Sequence, residues 1–199
     1  MVARATKKEH RLPQSIAQHG SRFIAPVIKK KAEKASGKSC FCEPFAGHAW
    51  ATREPKPSTC LLGDTDEKTV EYLKKLKEVK HCKIVKQDWK RTINQVSRNC
   101  LLFLDPPWYR GKPRDGKYPG KYGEKDYFPE IVKICKQGRK CIIQAPPEKA
   151  KELSQEFNCE LWEVEQGKKR FKYLICDNLS GKRGLARKKG KCVELRKKS

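Results

Sequence analysis

Residues 101–108 read Leu-Leu-Phe-Leu-Asp-Pro-Pro-Trp, and this octet decides the fold. Four consecutive apolar residues predict a strand that is buried on both faces, as in the middle of a parallel sheet. Asp105, Pro106 and Pro107 then end the strand, because proline cannot donate to a ladder and stiffens the loop that follows. We therefore expect a carboxylate, a rigid turn and Trp108 at the carboxyl end of a central strand, where open α/β sheets bind ligands.

Short apolar runs recur along the chain, with helix-like stretches between them. They predict seven strands, at residues 39–45, 59–64, 83–88, 100–105, 140–145, 160–165 and 171–177. The spacing of apolar residues predicts helices at residues 68–80, 128–136 and 148–157. Strands that alternate with helices favour an α/β fold with a mostly parallel sheet and helices on both faces. The short connection at 166–170 predicts an antiparallel hairpin of the last two strands.

Composition points to a polyanionic partner. The chain has 199 residues, with 47 basic against 23 acidic side chains and a formal net charge of +24. Such an excess is typical of proteins that bind nucleic acid, although a solvated lysine-rich surface is the simpler interpretation. No apolar run reaches the ~20 residues of a membrane span, and the amino terminus lacks the apolar core of a secretion signal. We expect no membrane contact and an intracellular location, in cytoplasm or nucleoid, or in the nucleus of a eukaryotic or viral host.

The ten cysteines do not form a recognisable metal motif. No pair has the Cys-x-x-Cys spacing of a zinc site, so no metal is predicted. Many of them lie in or beside apolar runs, where a reduced cysteine behaves as a small hydrophobic residue. We therefore predict reduced, structural cysteines, since disulfides in intracellular chains are expected only in hyperthermophiles.

Acidic and small residues follow the first three predicted strands. Residues 43–49 read Glu-Pro-Phe-Ala-Gly-His-Ala, a turn whose small residues let a cofactor approach the backbone. Asp64 can accept hydrogen bonds from ribose hydroxyls, and Asp88 with Trp89 can contact an adenine ring. Acids at these positions are also common helix caps. Their occurrence at the ends of successive strands predicts a pocket for an adenosyl cofactor.

The octet suits the methylation of an exocyclic amine. The lone pair of such a nitrogen is delocalised into the ring, which makes it a poor nucleophile. Asp105 and the Pro106 carbonyl can each accept one of its N–H hydrogen bonds and orient the lone pair, while Trp108 stacks on the flat base. A strand that ends in an incidental acid and a Pro-Pro turn is the simpler interpretation.

Several motifs, in order, resemble those of the Dam-like DNA adenine-N6 methyltransferases. Residues 15–47, SIAQHGSRFIAPVIKKKAEKASGKSCFCEPFAG, are similar to the opening of that family. LLGD at 61–64, DPPW at 105–108, the tyrosine-containing segment 118–128 and KYLICDN at 172–178 follow in the same order. The resemblance covers about residues 15–178 and implies a Rossmann-like class I methyltransferase fold, with a seven-stranded sheet that ends in an antiparallel hairpin.

The resemblance also implies a cofactor, a site and a reaction. The cofactor would be S-adenosyl-L-methionine and the target amine the N6 of adenine in DNA, with the base flipped out of its duplex. The amine would be held by Asp105, Pro106, Pro107 and Trp108. The cofactor would be held by His19, Gly20, Ser21, Arg22, Glu43, Pro44, Phe45, Gly47, Asp64, Asp88 and Trp89.

Three departures from the family pattern affect this prediction. The family's Gly-Gly-Lys is His-Gly-Ser at 19–21, which leaves Arg22 as the candidate replacement for the lysine. Ala49 stands where a glycine is expected and would add a methyl group close to the cofactor. Only 16 residues separate Asp88 from Asp105, where the family inserts a target-recognition domain. The loop at 109–126 is the remaining candidate for nucleic-acid contact, so sequence specificity should be low or supplied by a partner.

The domain prediction is a basic segment at 1–14, a methyltransferase domain at 15–178 and a flexible basic tail at 179–199. The tail holds nine Lys or Arg residues and one Glu, which suits phosphate contacts without sequence reading. An enzyme that methylates adenine N6 in DNA is the favoured hypothesis. A methyltransferase for exocyclic amines of rRNA or tRNA bases, and a non-catalytic nucleic-acid-binding protein on a methyltransferase scaffold, are the alternatives.

Overall fold

The computed structural model describes residues 20–34, 39–53, 56–107, 127–145, 147–157, 160–166, 169–177 and 193–194. Helices and strands alternate along most of the chain. The helices are α1 (Gly20–Lys34), α2 (Trp50–Arg53), α3 (Glu67–Lys75), α4 (Trp89–Asn94), α5 (Phe128–Lys136) and α6 (Pro147–Phe157). The strands are β1 (Cys40–Glu43), β2 (Thr59–Asp64), β3 (Lys83–Lys86), β4 (Leu101–Leu104), β5 (Cys141–Ala145), β6 (Glu160–Gln166), β7 (Lys169–Asp177) and β8 (Val193–Glu194).

All the strands belong to one sheet, in the order β3-β2-β1-β4-β5-β7-β6-β8. Strands β1 to β5 pair in parallel, and β7 is antiparallel to both β5 and β6. The expected α/β fold with a mostly parallel sheet is therefore confirmed. The expected number of seven strands is wrong for these residues, because Val193–Glu194 adds β8 beside β6. Two residues in a basic segment are too short a pattern to predict a strand.

The central strand β4 is buried on both faces, as its four apolar residues predict. Leu102 and Leu104 point to one face, into a hydrophobic cluster that also contains Ile93 of α4, Ile131 of α5 and Leu153 of α6. The opposite face of the sheet carries a second cluster, with members that include Leu62 of β2 and Leu73 of α3. Successive residues of a strand point to opposite faces, so helices cover both sides of the sheet, which confirms the expected layers.

The short helices α2 and α4 were not predicted, and one predicted helix is shorter than expected. The helix expected at 68–80 ends at Lys75, because Leu76 is extended, and a 3₁₀ turn at Lys77–Val79 follows. Helix α4 begins directly after Asp88, whose side chain caps it. No helix among the described residues is long and apolar enough to cross a membrane.

Two disulfides correct the prediction that the cysteines are reduced. Cys40 is bonded to Cys100, and Cys60 is bonded to Cys82. Cys42, Cys135 and Cys141 are free thiols, and all three are buried.

The register of the parallel sheet explains both bonds. Phe41 pairs with Leu101. The residues that precede them, Cys40 and Cys100, therefore lie side by side, with 4.8 Å between their Cα atoms. Leu61 pairs with Lys83, which likewise places Cys60 beside Cys82 at 4.6 Å. Each disulfide therefore joins two neighbouring strands at the amino-terminal edge of the sheet. Sequence spacing alone could not reveal this, because the partners are 60 and 22 residues apart.

Reduction should destabilise the fold. Loop-closure entropy gives about 4 kcal/mol for the Cys40–Cys100 bond and about 3 kcal/mol for the Cys60–Cys82 bond. In urea unfolding with a metal chelator present, the reduced wild-type chain should therefore have a lower free energy of unfolding than the oxidised chain. The matched control is a variant with Cys40, Cys60, Cys82 and Cys100 all changed to Ala, which should not respond to reductant. An equal response in both proteins would contradict the two bonds.

Candidate active site

The sheet has a topological switch point between β1 and β4. From β1 the chain continues to β2 and β3 on one side, whereas β4 is followed by β5 on the other side. Connections that diverge in this way leave a crevice at the carboxyl ends of the two strands, where open α/β sheets bind ligands. Glu43 is the last residue of β1, and Asp105 directly follows β4. The two predicted site acids therefore flank this β1–β4 crevice.

Glu43 is buried and turned toward α2. Its Oε2 accepts hydrogen bonds from the Thr52 backbone N–H at 3.1 Å and from the Thr52 hydroxyl at 2.6 Å. Burial raises the pKa of the Glu43 carboxyl from 4.5 to about 8, and the negative charge of Asp105 adds to this rise. Glu43 therefore holds a proton at neutral pH, so one of the two acids that flank the crevice is neutral.

This buried carboxyl makes stability depend on pH. Between about pH 4.5 and 8 the folded chain keeps a proton that the unfolded chain releases, so Glu43 lowers the free energy of unfolding by about 1.4 kcal/mol per pH unit as pH rises. Glu43→Gln keeps an acceptor oxygen for Thr52 and removes the titration. Chemical unfolding should show the variant close to wild type at about pH 4 and more stable by a few kcal/mol at about pH 9. A stability difference that does not change with pH would contradict the raised pKa.

The loop at 43–49 is attached to the end of β2 by two hydrogen bonds, which the Ala46 and Gly47 N–H groups donate. Asp64 accepts the Gly47 N–H through Oδ2 at 3.1 Å and the Asp66 N–H through Oδ1 at 3.0 Å. The Ala46 N–H donates to the Gly63 carbonyl at 2.9 Å. Gly47 has a φ of 46°, a left-handed conformation that glycine adopts without strain. The small-residue turn predicted from the sequence is thus held directly beside the crevice.

Asp64 keeps hydrogen-bonding capacity after these contacts. Its side chain is partly exposed, and desolvation raises the pKa of its carboxyl despite three backbone N–H groups, those of Asp66, Gly47 and Thr65. A carboxylate offers about four acceptor positions, so about one remains for a ligand. This position suits the predicted contact with a ribose hydroxyl.

Ala49 combines a left-handed backbone with a buried side chain. Its φ is 53°, a conformation that only glycine adopts without strain. Its side chain is fully buried, in the second hydrophobic cluster with Leu62 and Leu73. The methyl group therefore packs into this cluster, and its closeness to the cofactor stays a prediction.

The strained backbone of Ala49 can be tested against a neighbouring alanine. Ala51→Gly, in the first turn of α2, should lower the free energy of unfolding by about 1 kcal/mol or more. Ala49→Gly loses a similar buried methyl group but gains about 1–2 kcal/mol from the relief of strain, so stability should stay nearly constant. Thermal unfolding of both variants measures the difference. Equal losses of stability would contradict a strained Ala49.

Asp88 and Trp89 lie at the start of α4. Asp88 is exposed, and its side chain accepts the Lys90 N–H at 2.9 Å, so it acts as a helix cap. Trp89 is 3% exposed and stacks on Phe45, with 5.4 Å between the ring centroids. Tyr127 contacts both rings edge-on, at 5.5 Å from Phe45 and 6.0 Å from Trp89. This aromatic cluster (Phe45, Trp89, Tyr127) packs Phe45 of the loop against the start of α4 and the residue before α5. The adenine contact of Asp88 and Trp89 stays a prediction.

The remaining predicted residues are placed in part. Pro44 and Pro106 are buried, whereas Asp105 and Pro107 are partly exposed. Gly20, Ser21 and Arg22 form the first turn of α1, which packs against α2. His19, Trp108 and the loop at 109–126 lie outside the described residues.

Two residues of the site were not identified from the sequence. Thr52, which holds Glu43, lies nine residues away from it on a helix of four residues, and no sequence pattern marks such a contact. Tyr127 belongs to the tyrosine-containing segment 118–128, so the resemblance marked its segment without giving its role.

The sequence matches no protein-family model, and no curated protein is similar to it. Among solved structures, the chain is similar to yhhF from Escherichia coli, whose name describes it as a candidate methyltransferase. The sequence identity is 13%, the TM-score is 0.49, and the match covers 83% of this chain and 90% of that one.

Two further similarities are weaker. The C-terminal domain of precorrin-6Y C5,15-methyltransferase from Rhodobacter capsulatus has 8% identity and a TM-score of 0.48, with 76% of this chain and 86% of that one covered. A conserved hypothetical protein from Streptococcus pyogenes has 15% identity and a TM-score of 0.42, over 69% and 84% of the two chains. At these values the similarities do not identify a function.

Proposed function

We propose that this chain is an S-adenosylmethionine-dependent methyltransferase that acts on an exocyclic amine of a nucleic-acid base, with adenine N6 in DNA as its substrate. One observation carries the proposal. Asp105 and Pro106 follow the central strand at the β1–β4 crevice, and the Gly47 loop adjoins the same crevice. An acceptor pair for an amine thus lies beside a loop suited to an adenosyl cofactor.

The loop and Asp64 fit the cofactor. Gly47 has no side chain to obstruct a ligand that approaches the backbone, and its left-handed conformation is fixed by the hydrogen bond to Asp64. The remaining acceptor position of Asp64 suits a ribose hydroxyl. When bound, S-adenosylmethionine supplies an electrophilic methyl group on a sulfonium.

The amine is oriented by the turn after β4. The Asp105 carboxylate and the Pro106 carbonyl each accept one N–H, which directs the nitrogen lone pair toward the methyl group. Glu43, on the other side of the crevice, is neutral because of its raised pKa. Of the two acids, Asp105 is then the stronger hydrogen-bond acceptor for the amine. Catalysis depends mainly on the alignment of the amine with the methyl group.

We infer the mode of nucleic-acid recognition from the positive charge and from the short connection before Asp105. The net charge of +24 favours binding to a phosphate backbone. The 16 residues between Asp88 and Asp105 are used by α4, a turn and β4, so this segment contains no target-recognition domain. We infer low intrinsic sequence specificity or a partner that supplies it, and a base that is flipped into the crevice.

Methylation of a panel of polymers tests the substrate. The protein is incubated with labelled S-adenosylmethionine and with duplex DNA, single-stranded DNA, rRNA and tRNA, and the products are digested to nucleosides. N6-methyladenine in DNA is the expected product. An exocyclic N-methyl base in RNA alone would overturn the choice of DNA, and no methylated base in any polymer would overturn the activity.

Asp105→Asn tests the role of the acid. The variant keeps the shape of the side chain and loses its charge, so the methyl-transfer rate should fall about 100-fold or more. Affinity for nucleic acid should stay within about twofold, because the phosphate contacts are unchanged. Glu78→Gln, an exposed change on the 3₁₀ turn, is the control and should keep the full rate. A wild-type rate in Asp105→Asn would contradict the mechanism.

A further inference from the structure

Three groups that commonly bind zinc lie together at the amino-terminal edge of the sheet. The sulfur atoms of Cys60 and Cys82 and a ring nitrogen of His81 all lie within 4.8 Å of one another. Nε2 of His81 is 3.8 Å from Sγ of Cys82. The active-site candidates occupy the opposite, carboxyl-terminal edge, so this Cys60–His81–Cys82 cluster is independent of them.

The sheet positions all three residues. Cys60 lies in β2, and Cys82 precedes β3, in the adjoining register position. The Cys82 N–H donates to the Val79 carbonyl at 2.9 Å, which fixes the turn that carries His81. The two cysteines are buried, at 3% and 9% exposure, and His81 is exposed. The cluster thus has two sulfur atoms that are protected from solvent and one solvent-exposed ligand, His81.

We propose that Cys60, His81 and Cys82 form a redox-dependent site for Zn²⁺. In the oxidised chain the two sulfurs are joined in the disulfide, and no thiolate is available to a metal. A dithiol reductant transfers two electrons and two protons to the bond, becomes a disulfide itself, and leaves two thiols. Zn²⁺ then binds both sulfurs and the neutral imidazole, with release of the two thiol protons.

The donor set determines the metal and its coordination. Two thiolates and an imidazole are ligands that zinc prefers, at about 2.3 Å for Zn–S and about 2.0 Å for Zn–N. Water completes the tetrahedron on the exposed side, next to His81. The bound ion would link β2 to β3 in place of the disulfide, so the same two strands stay joined under oxidising and reducing conditions.

The other cysteines provide a contrast. Cys40 and Cys100 form an equivalent bond between β1 and β4. Among the described residues, no histidine joins these two cysteines in a cluster of metal-binding side chains. The free thiol of Cys42 is buried, and burial raises its pKa to about 12, which disfavours the thiolate that a metal needs. Within the described residues, the Cys60–Cys82 disulfide is thus the one with a third ligand beside it.

Cobalt(II) is a spectroscopic probe for such a site. The full-length chain is reduced with a dithiol, exchanged into oxygen-free buffer and titrated with Co²⁺, then with Zn²⁺. We expect about one Co²⁺ per chain, with ligand-field bands in the visible and a thiolate charge-transfer band, both lost when Zn²⁺ displaces it. The oxidised chain should show neither band. A reduced chain that binds no Co²⁺ would overturn the proposal.

Two variants test the ligands, and a third is the control. Cys60→Ser should abolish the thiolate band, and His81→Ala should weaken Co²⁺ binding roughly tenfold or more. The double variant Cys40→Ser, Cys100→Ser is the matched control and should bind as the wild type does. Zn²⁺ should also raise the thermal stability of the reduced wild type, but much less that of His81→Ala. Equal spectra and affinities in wild type, Cys60→Ser and His81→Ala would overturn the assignment, whatever the outcome for methyl transfer.

Discussion

The parallel pairing of β1 with β4 positions the residues at both edges of the sheet. It places the central strand, buried on both faces, beside the strand that leads into the Gly47 loop. At the carboxyl ends the same pairing brings Glu43 next to Asp105, and at the amino ends it brings Cys40 next to Cys100. One register therefore determines the candidate active site at one edge and a covalent link at the other.

The three acids at the carboxyl ends of the strands, Glu43, Asp64 and Asp105, differ in burial and in role. Glu43 is neutral at pH 7 and holds α2 through Thr52, so its role in the fold is structural as well as electrostatic. Asp64 is partly exposed, and it holds the Gly47 loop by accepting the Gly47 N–H. Asp105 adjoins the crevice with its rigid Pro-Pro turn. Of these three acids, Glu43 thus holds α2, Asp64 holds the Gly47 loop, and Asp105 is the proposed acceptor for the amine.

The sequence predicted those features that depend on local pattern. The apolar run at 101–104 predicted a buried central strand, and the small residues at 43–49 predicted the turn, because both depend on residues that are close in the chain. The disulfides were missed because they depend on register between distant strands. The burial of Ala49 and the contact of Thr52 with Glu43 were missed because they depend on packing beneath the loop. The short connection between Asp88 and Asp105 was visible from the sequence, because it is a chain length.

The β1–β4 crevice is the proposed binding place of an adenosyl cofactor. A crystal structure of the chain grown with saturating S-adenosylhomocysteine, the demethylated product of the cofactor, tests this binding. We expect density for the product along the Gly47 loop, with its ribose near Asp64 and its sulfur directed toward Asp105. Density for the product at another place on the sheet, or an empty crevice at saturating product, would show that this crevice does not bind the cofactor.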